Sequence, residues 1–138
     1  MDFSGINIWE LIVASLSTFV IGFFWYGNLL FGKTWQKLAG LSDEDIAKGN
    51  MALIYGLAFV LNFVAALFIS MFTEIAMMLG TSAFLAGLFA VVLCIGFVAT
   101  SVGVNFLFSR KPFKLYLIDV GYMVVSFFVM GVIIGAWR

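Results

Sequence analysis

Apolar residues fill this chain in four long runs separated by short polar breaks. Each run has about 20 or more residues, enough to cross the roughly 30 Å hydrocarbon core of a bilayer as one helix. They extend from Ile6 to about Leu30, from about Met51 to Phe72, from about Leu79 to Phe108, and from Phe113 to Trp137. The pattern predicts an all-α polytopic membrane protein, a bundle of four transmembrane helices in a single domain over residues 1–138. The third run is longer than a span requires and should tilt or project from the membrane.

The breaks between the runs carry their own signals. Phe23, Phe24, Trp25 and Tyr26 form an aromatic cluster of the kind enriched at headgroup depth, and Gly27 and Asn28 then break the helix. Across residues 28–40 a helical count puts Phe31, Trp35 and Leu38 on one face and Lys33, Gln36 and Lys37 on another. That predicts a short amphipathic helix lying in the interface and ended by Gly40. Ser42 followed three residues later by Asp45 fits a capping box opening a new helix. Ser109, Arg110, Lys111 and Pro112 make a tight connection, so the third and fourth spans form an antiparallel hairpin. The flank before the first run has no Lys or Arg, which suits a retained helix better than a cleaved signal peptide.

Composition narrows the chemistry. Hydrophobic residues are 64% of the chain and charged residues 10%, against about 25% charged in soluble domains. The formal net charge of +0 argues against nucleic acid as a partner, since phosphate binding needs an excess of Lys and Arg on one face. With no His and only Cys94, common zinc patterns, bis-His haem ligation and a redox dithiol are excluded, and no cofactor or metal is expected. Ordinary catalytic constellations are missing as well, so an enzyme is not expected. Basic residues are unevenly placed: Lys33, Lys37, Lys48, Arg110, Lys111 and Lys114 share one side, and Arg138 stands on the other. The positive-inside rule then puts both termini outside the cytoplasm. Trp25, Tyr26, Lys33, Trp35, Lys37, Arg110, Lys111 and Lys114 are the candidate contacts with lipid headgroups.

Polar groups at membrane depth are the candidate site. Counting from Phe113, Asp119 lies about 9 Å into the membrane and needs a partner, water or a proton. Tyr122 and Ser126 follow on the same face. Two readings stay open: a proton or ligand site, or a packing network with Arg110, Lys111 or Lys114 reaching back to Asp119. Ser101 and Asn105 lie one turn apart on the third helix and should meet Asp119 across the hairpin. Asn62, near the midplane of the second helix, should be satisfied by a neighbouring helix. Glu10, near the opposite surface, reads as a wetted interfacial carboxylate. Gly131 and Gly135, like Ala99 with Gly103 and Ala83 with Gly87, have the spacing that lets helix backbones approach closely, within or between subunits.

Two segments, FFWYGNLLFGKTWQKLAGLS (residues 23–42) and RKPFKLYLIDVGYMVVSFFVMGVIIGAW (residues 110–137), carry a resemblance. They resemble the bacterial four-helix membrane family known as domain of unknown function 1761. Its members carry an aromatic pair followed by a Phe-Gly-Lys segment, then a basic-Pro-x-Lys and Ile-Asp-x-Gly-Tyr segment. The matching positions are Trp25, Tyr26, Leu30, Phe31, Gly32 and Lys33, then Arg110, Pro112, Lys114, Ile118, Asp119, Gly121 and Tyr122. Relatives commonly have Ser-Pro where this chain has Gly27 and Asn28, a different turn chemistry for the same break. The resemblance implies a four-span bundle in a bacterial inner membrane and supplies no reaction, substrate or cofactor.

Two functional classes follow. One is a homo-oligomeric transporter-like or channel-like unit with its Asp119 cluster opening to the cytoplasm. The other is a non-enzymatic accessory or scaffold protein that holds a lipid, an apolar molecule or a membrane partner in a Phe-rich groove. Membrane lipids and a second copy of the chain are the expected partners, and any small-molecule ligand is left unspecified.

Overall fold

A computed structural model describes residues 5–138, and every regular element among them is helical. Helix α1 (Ile8–Trp25) is followed by turns, α2 (Gly32–Ala39), α3 (Asp43–Lys48) and the long α4 (Met51–Met78). The third span is α5 (Ala83–Leu93), a π-helical turn (Cys94–Ala99) and α6 (Thr100–Ser109), and the last is α7 (Phe113–Trp137). Ile8–Trp25, Met51–Met78, Ala83–Ser109 and Phe113–Trp137 are each long and apolar enough to cross a membrane. The chain is therefore a multi-pass membrane protein.

Short-range chemistry sets the helix ends. The Asn7, Asn50 and Ser82 side chains cap α1, α4 and α5 by accepting from backbone N–H groups of the first turn. Ser42 and Asp45 make a reciprocal capping box on α3: Asp45 N–H donates to Ser42 Oγ at 3.1 Å, and Ser42 N–H to Asp45 Oδ2 at 2.9 Å. Gly40 ends α2 with φ 70°, a left-handed conformation that glycine adopts without a Cβ penalty. Arg110 closes α6 in the same region, at φ 54°, immediately before Lys111 and Pro112.

Three boundaries differ from the sequence expectation. Helix α1 stops at Trp25, short of Leu30, because the chain folds back: Phe31 N–H donates to the Trp25 carbonyl and Gly32 N–H to the Gly27 carbonyl. A Cβ at Gly32 would press into the Tyr26 carbonyl, so this close turn requires glycine there. Helix α4 continues past Phe72 to Met78, and the third span starts at Ala83 because Gly80, at φ 75°, turns the chain first.

Helix α7 is the hub, packed against α1, α4 and α5 and touching α2 and α6. Leu11, Ala14, Ala66, Ile69, Ala90, Met130 and Ile134 form the core where these helices meet. Its small residues matter, since helix association in lipid relies on close packing rather than a hydrophobic drive. Gly131 and Gly135 face α5 within the subunit. A Cβ at Gly131 would lie 2.8 Å from the Ala86 carbonyl oxygen, and one at Gly135 would lie 2.8 Å from Ala86 Cβ. The π turn widens the third span, and two hydroxyls bond to carbonyls there. Thr100 Oγ1 donates to the Gly96 carbonyl at 2.8 Å, and Tyr116 Oη on α7 donates to the Ala99 carbonyl at 2.9 Å. Large side chains such as Phe23, Leu61, Phe97, Leu107 and Phe108 are exposed, as suits a lipid-facing surface.

Candidate functional site

At the end of the bundle that carries the basic loops, the end of α1 is stitched to the first turns of α7. Trp25 Nε1 donates to the Ile118 carbonyl at 2.9 Å, and the Trp25 ring lies against Gly121, where a Cβ would come within 2.8 Å of it. Tyr26 Oη donates to Asp119 Oδ1 at 2.8 Å. Helix α2 folds back far enough for Trp35 Nε1 to reach the same Oδ1 at 3.1 Å. Phe31 packs on Trp25 with ring centroids 4.9 Å apart, and Tyr26 sits between Trp35 and Tyr122 at 5.5 and 5.3 Å. Burial, with the hydrogen bond to Asp119 after it, pushes the Tyr26 phenol well above its ordinary pKa, so this group stays a donor. Helix α2 is thus more than a float in the interface: its Trp35 closes over the carboxylate on α7.

The partners expected for Asp119 from the sequence are corrected by this geometry. Tyr122 turns instead to α1, donating to the Thr18 carbonyl at 3.0 Å. Ser101 and Asn105 are exposed and do not reach Asp119; among the described residues Asn105 accepts only from Ser109, at 3.4 Å. Asp119 turns toward Tyr26 and Trp35 instead, and the α7 side chain that reaches the third span is Tyr116, bonded to the Ala99 carbonyl. Arg110, Lys111 and Lys114 are exposed and form no ion pair with Asp119, and Lys111 Nζ lies 5.0 Å above the Phe106 ring. Among the described residues the ion pairs all involve Arg138, so the half-buried Asp119 is held by neutral donors alone. Ser126 lies deeper on α7, buried, with its Oγ unpartnered.

Beside this cluster a cleft of about 600 Å³ runs between α1 and α4, with Tyr122 on its floor. Thr18, Gly22, Tyr26, Tyr55 and Asn62 line it. Asn62 borders this cleft, and its amide bonds no neighbouring helix among the described residues. Lys33 and Lys37 line a separate polar depression with Gln36 and Asp43, and Gln36 Nε2 donates to Asp43 Oδ1 at 2.8 Å.

The opposite end holds a second polar cluster that the sequence reading missed. Glu10 is fully buried rather than wetted. Its Oε1 accepts from Ser70 Oγ at 2.7 Å and from Arg138 Nη2 at 3.0 Å. Arg138 also donates to Ser70, and its Nη1 lies 3.9 Å from Glu74 Oε2. The only signal available in the sequence was that Glu10 and Arg138 fall on the same membrane side, so a carboxylate too deep for water had one cation within its reach.

Among the described residues no three His, Cys, Asp or Glu side chains gather in a way that could hold a metal ion. No curated protein and no solved structure matches the chain. The residues that knit this site together, the aromatic pair on α1 and the Ile-Asp-x-Gly-Tyr segment on α7, both fall within residues 9–135, which match one family model, and the chain belongs to that family, described as protein of unknown function (DUF1761).

Proposed function

We propose that the protein is a non-enzymatic, transporter-like or channel-like unit of a bacterial inner membrane. In this reading it works as a homo-oligomer, and the α1–α4 cleft leads a proton or small cation from the cytoplasmic side to Asp119. The observation that carries it is a carboxylate on a helix long and apolar enough to cross a membrane, with two neutral donors and no cation among the described residues, next to a cleft of about 600 Å³ bordered by Tyr26 and Tyr122. An uncompensated charge there attracts a proton or cation. A bundle of this size has little interior, and the cleft lies at its edge, so a second copy supplies the missing wall. The basic loops face the cytoplasm, both termini face away, and membrane lipids, not nucleic acid, are the surroundings.

The test is flux into liposomes containing the purified full chain, driven by a potassium diffusion potential and read with an internal pH dye. Proton entry above that of empty vesicles, lost in a folded Asp119→Asn variant, is the expected result. Entry equal to that of empty vesicles, for protons, sodium and potassium alike, removes the reading. Cysteine labelling checks the orientation: residues 33, 48 and 111 should react from the cytoplasmic side only.

A second reading has an observation of its own. A groove of about 420 Å³ between α6 and α7 has an apolar wall of Phe106, Leu107, Phe113 and Tyr116, with Arg110 and Lys111 at its mouth. That arrangement suits the acyl chain and phosphate of an anionic lipid, the accessory role. Native mass spectrometry should then show retained phosphatidylglycerol that is lost when both cations become Gln.

A further inference from the structure

Buried carboxylate oxygens are almost always hydrogen-bonded, because leaving one without a donor costs its desolvation. Glu10 breaks that rule. Its Oε1 takes both available donors, while Oε2 is buried with no partner among the described residues. Glu10 also lines a cavity of about 540 Å³ at the end of the bundle opposite the basic loops. Glu74 lines the same cavity, half-exposed, and its contact with Arg138 is long, at 3.9 Å. The backbone at Gly5 forms part of the rim, where a Cβ would stand 3.0 Å from Glu74 Oε1.

The side chains of Glu10, Glu74 and Arg138 sum to one negative charge, and the buried Glu10 Oε2 lacks a donor among the described residues. A monovalent cation that brings an N–H donor satisfies both. The rest of the lining is apolar and polarisable: Met77, Met78 and the partly exposed Trp137. Thioethers suit an alkyl chain, and an indole face suits a cation above it. Calcium fits poorly, since it takes six to eight oxygen ligands and only two carboxylates stand here among the described residues. We propose that this cavity is a binding site for a primary alkylammonium, its nitrogen between Glu10 Oε2 and Glu74 and its carbon chain against Met77, Met78 and Trp137. The site lies at the far end from Asp119 and does not depend on any flux through the α1–α4 cleft.

Equilibrium dialysis of the full chain in a nonionic detergent tests it, with n-butylammonium as the probe and n-butanol as the uncharged control. Saturable binding of butylammonium and none of butanol is expected. Glu10→Gln disturbs a buried ion pair and could unfold the chain, so the deciding variant is Glu74→Gln at the half-exposed position. It should bind butylammonium roughly tenfold more weakly, the loss of one charge contact at a partly wetted site. Butanol binding as well as butylammonium, or Glu74→Gln binding it unchanged, overturns the proposal.

Discussion

Tyr26 and Asp119 stand 93 positions apart in the chain, yet the phenol of one donates to the carboxylate of the other at 2.8 Å. Trp35 donates to the same oxygen at 3.1 Å, so α1, α2 and α7 converge on one atom. A hydrogen bond to a charged acceptor contributes about 1.5–3 kcal/mol. Partial exposure of Asp119 reduces that, so Tyr26→Phe should lower stability by about 1–2 kcal/mol. Unfolding in mixed micelles measures it, and a loss below about 0.5 kcal/mol, the range of an ordinary surface change, would mean that the bond adds nothing.

Close approach of α5 and α7 makes Gly135 intolerant of a side chain, since a Cβ there would meet Ala86 Cβ at 2.8 Å and Ala83 Cα at 3.0 Å. Gly135→Leu should destabilise by about 1–3 kcal/mol or misfold, as overpacking does. Gly56 on α4 has open space around its missing Cβ. Gly56→Ala should be neutral or stabilising by up to about 1 kcal/mol, because it only removes glycine's excess freedom from a helix. Equal effects at the two positions would show that composition, not packing, sets the response.

These two sites differ in how legible they were. The span Phe113–Trp137 and the spacing of Gly131 and Gly135 are local patterns, written in an apolar run after Pro112 and a four-residue interval. The partners of Asp119 are not local. They depend on where α1 ends and on α2 doubling back, both set by the tight turn at Gly27 and Gly32. The π turn is hidden for another reason: Cys94–Ala99 is plain apolar sequence, and nothing in it marks a widened turn. Asn105 accepts from Ser109 on its own helix, and Asp119 is met by Tyr26 and Trp35 instead. Glu10 was misread because a surface-depth count ignores a cation arriving from 128 positions away.

Removing Arg138 should cost far more than removing an exposed cation. Its guanidinium is the charged partner of a fully buried Glu10, and breaking a buried pair from one side typically costs about 3–5 kcal/mol. Arg138→Leu alone should therefore be strongly destabilising in mixed-micelle unfolding. Arg138→Leu combined with Glu10→Leu should recover much of the loss, because no buried charge is then left unpaired. If the double variant loses as much as the two single losses add up to, or more, the pair is not the source of the effect.

Asp45 should give α3 a pH dependence. The backbone N–H and hydroxyl of Ser42 hold its carboxyl below the usual carboxylate range. A group with a depressed folded-state pKa contributes stability that is present above its unfolded value and lost as pH falls through the folded one. The α3 cap should thus stay intact at neutral pH and fray below about pH 4, where free Asp side chains take up protons. Amide exchange at Ser42 and Asp45 reads this directly, and Asp45→Asn should shift the fraying out of the acid range. Exchange rates at both amides that ignore acidification, beyond the intrinsic chemical trend, would contradict the capping role.

Asp119 separates charge from shape. Asp119→Asn keeps an oxygen acceptor for Tyr26 and Trp35 and removes the negative charge, so the fold should survive with a loss of about 1 kcal/mol, the difference between a charged and a neutral acceptor. Asp119→Leu removes the acceptor and leaves two donors, the Trp35 indole and the Tyr26 phenol, facing apolar surface, both part-buried. Unsatisfied donors cost about 1–3 kcal/mol apiece, so this variant should lose several times as much as Asp119→Asn. Combining Asp119→Leu with Tyr26→Phe removes one orphaned donor, and the double variant should be more stable than Asp119→Leu alone. That reversal of sign is the decisive reading in mixed-micelle unfolding, because simple loss of packing at two sites would make the double variant worse.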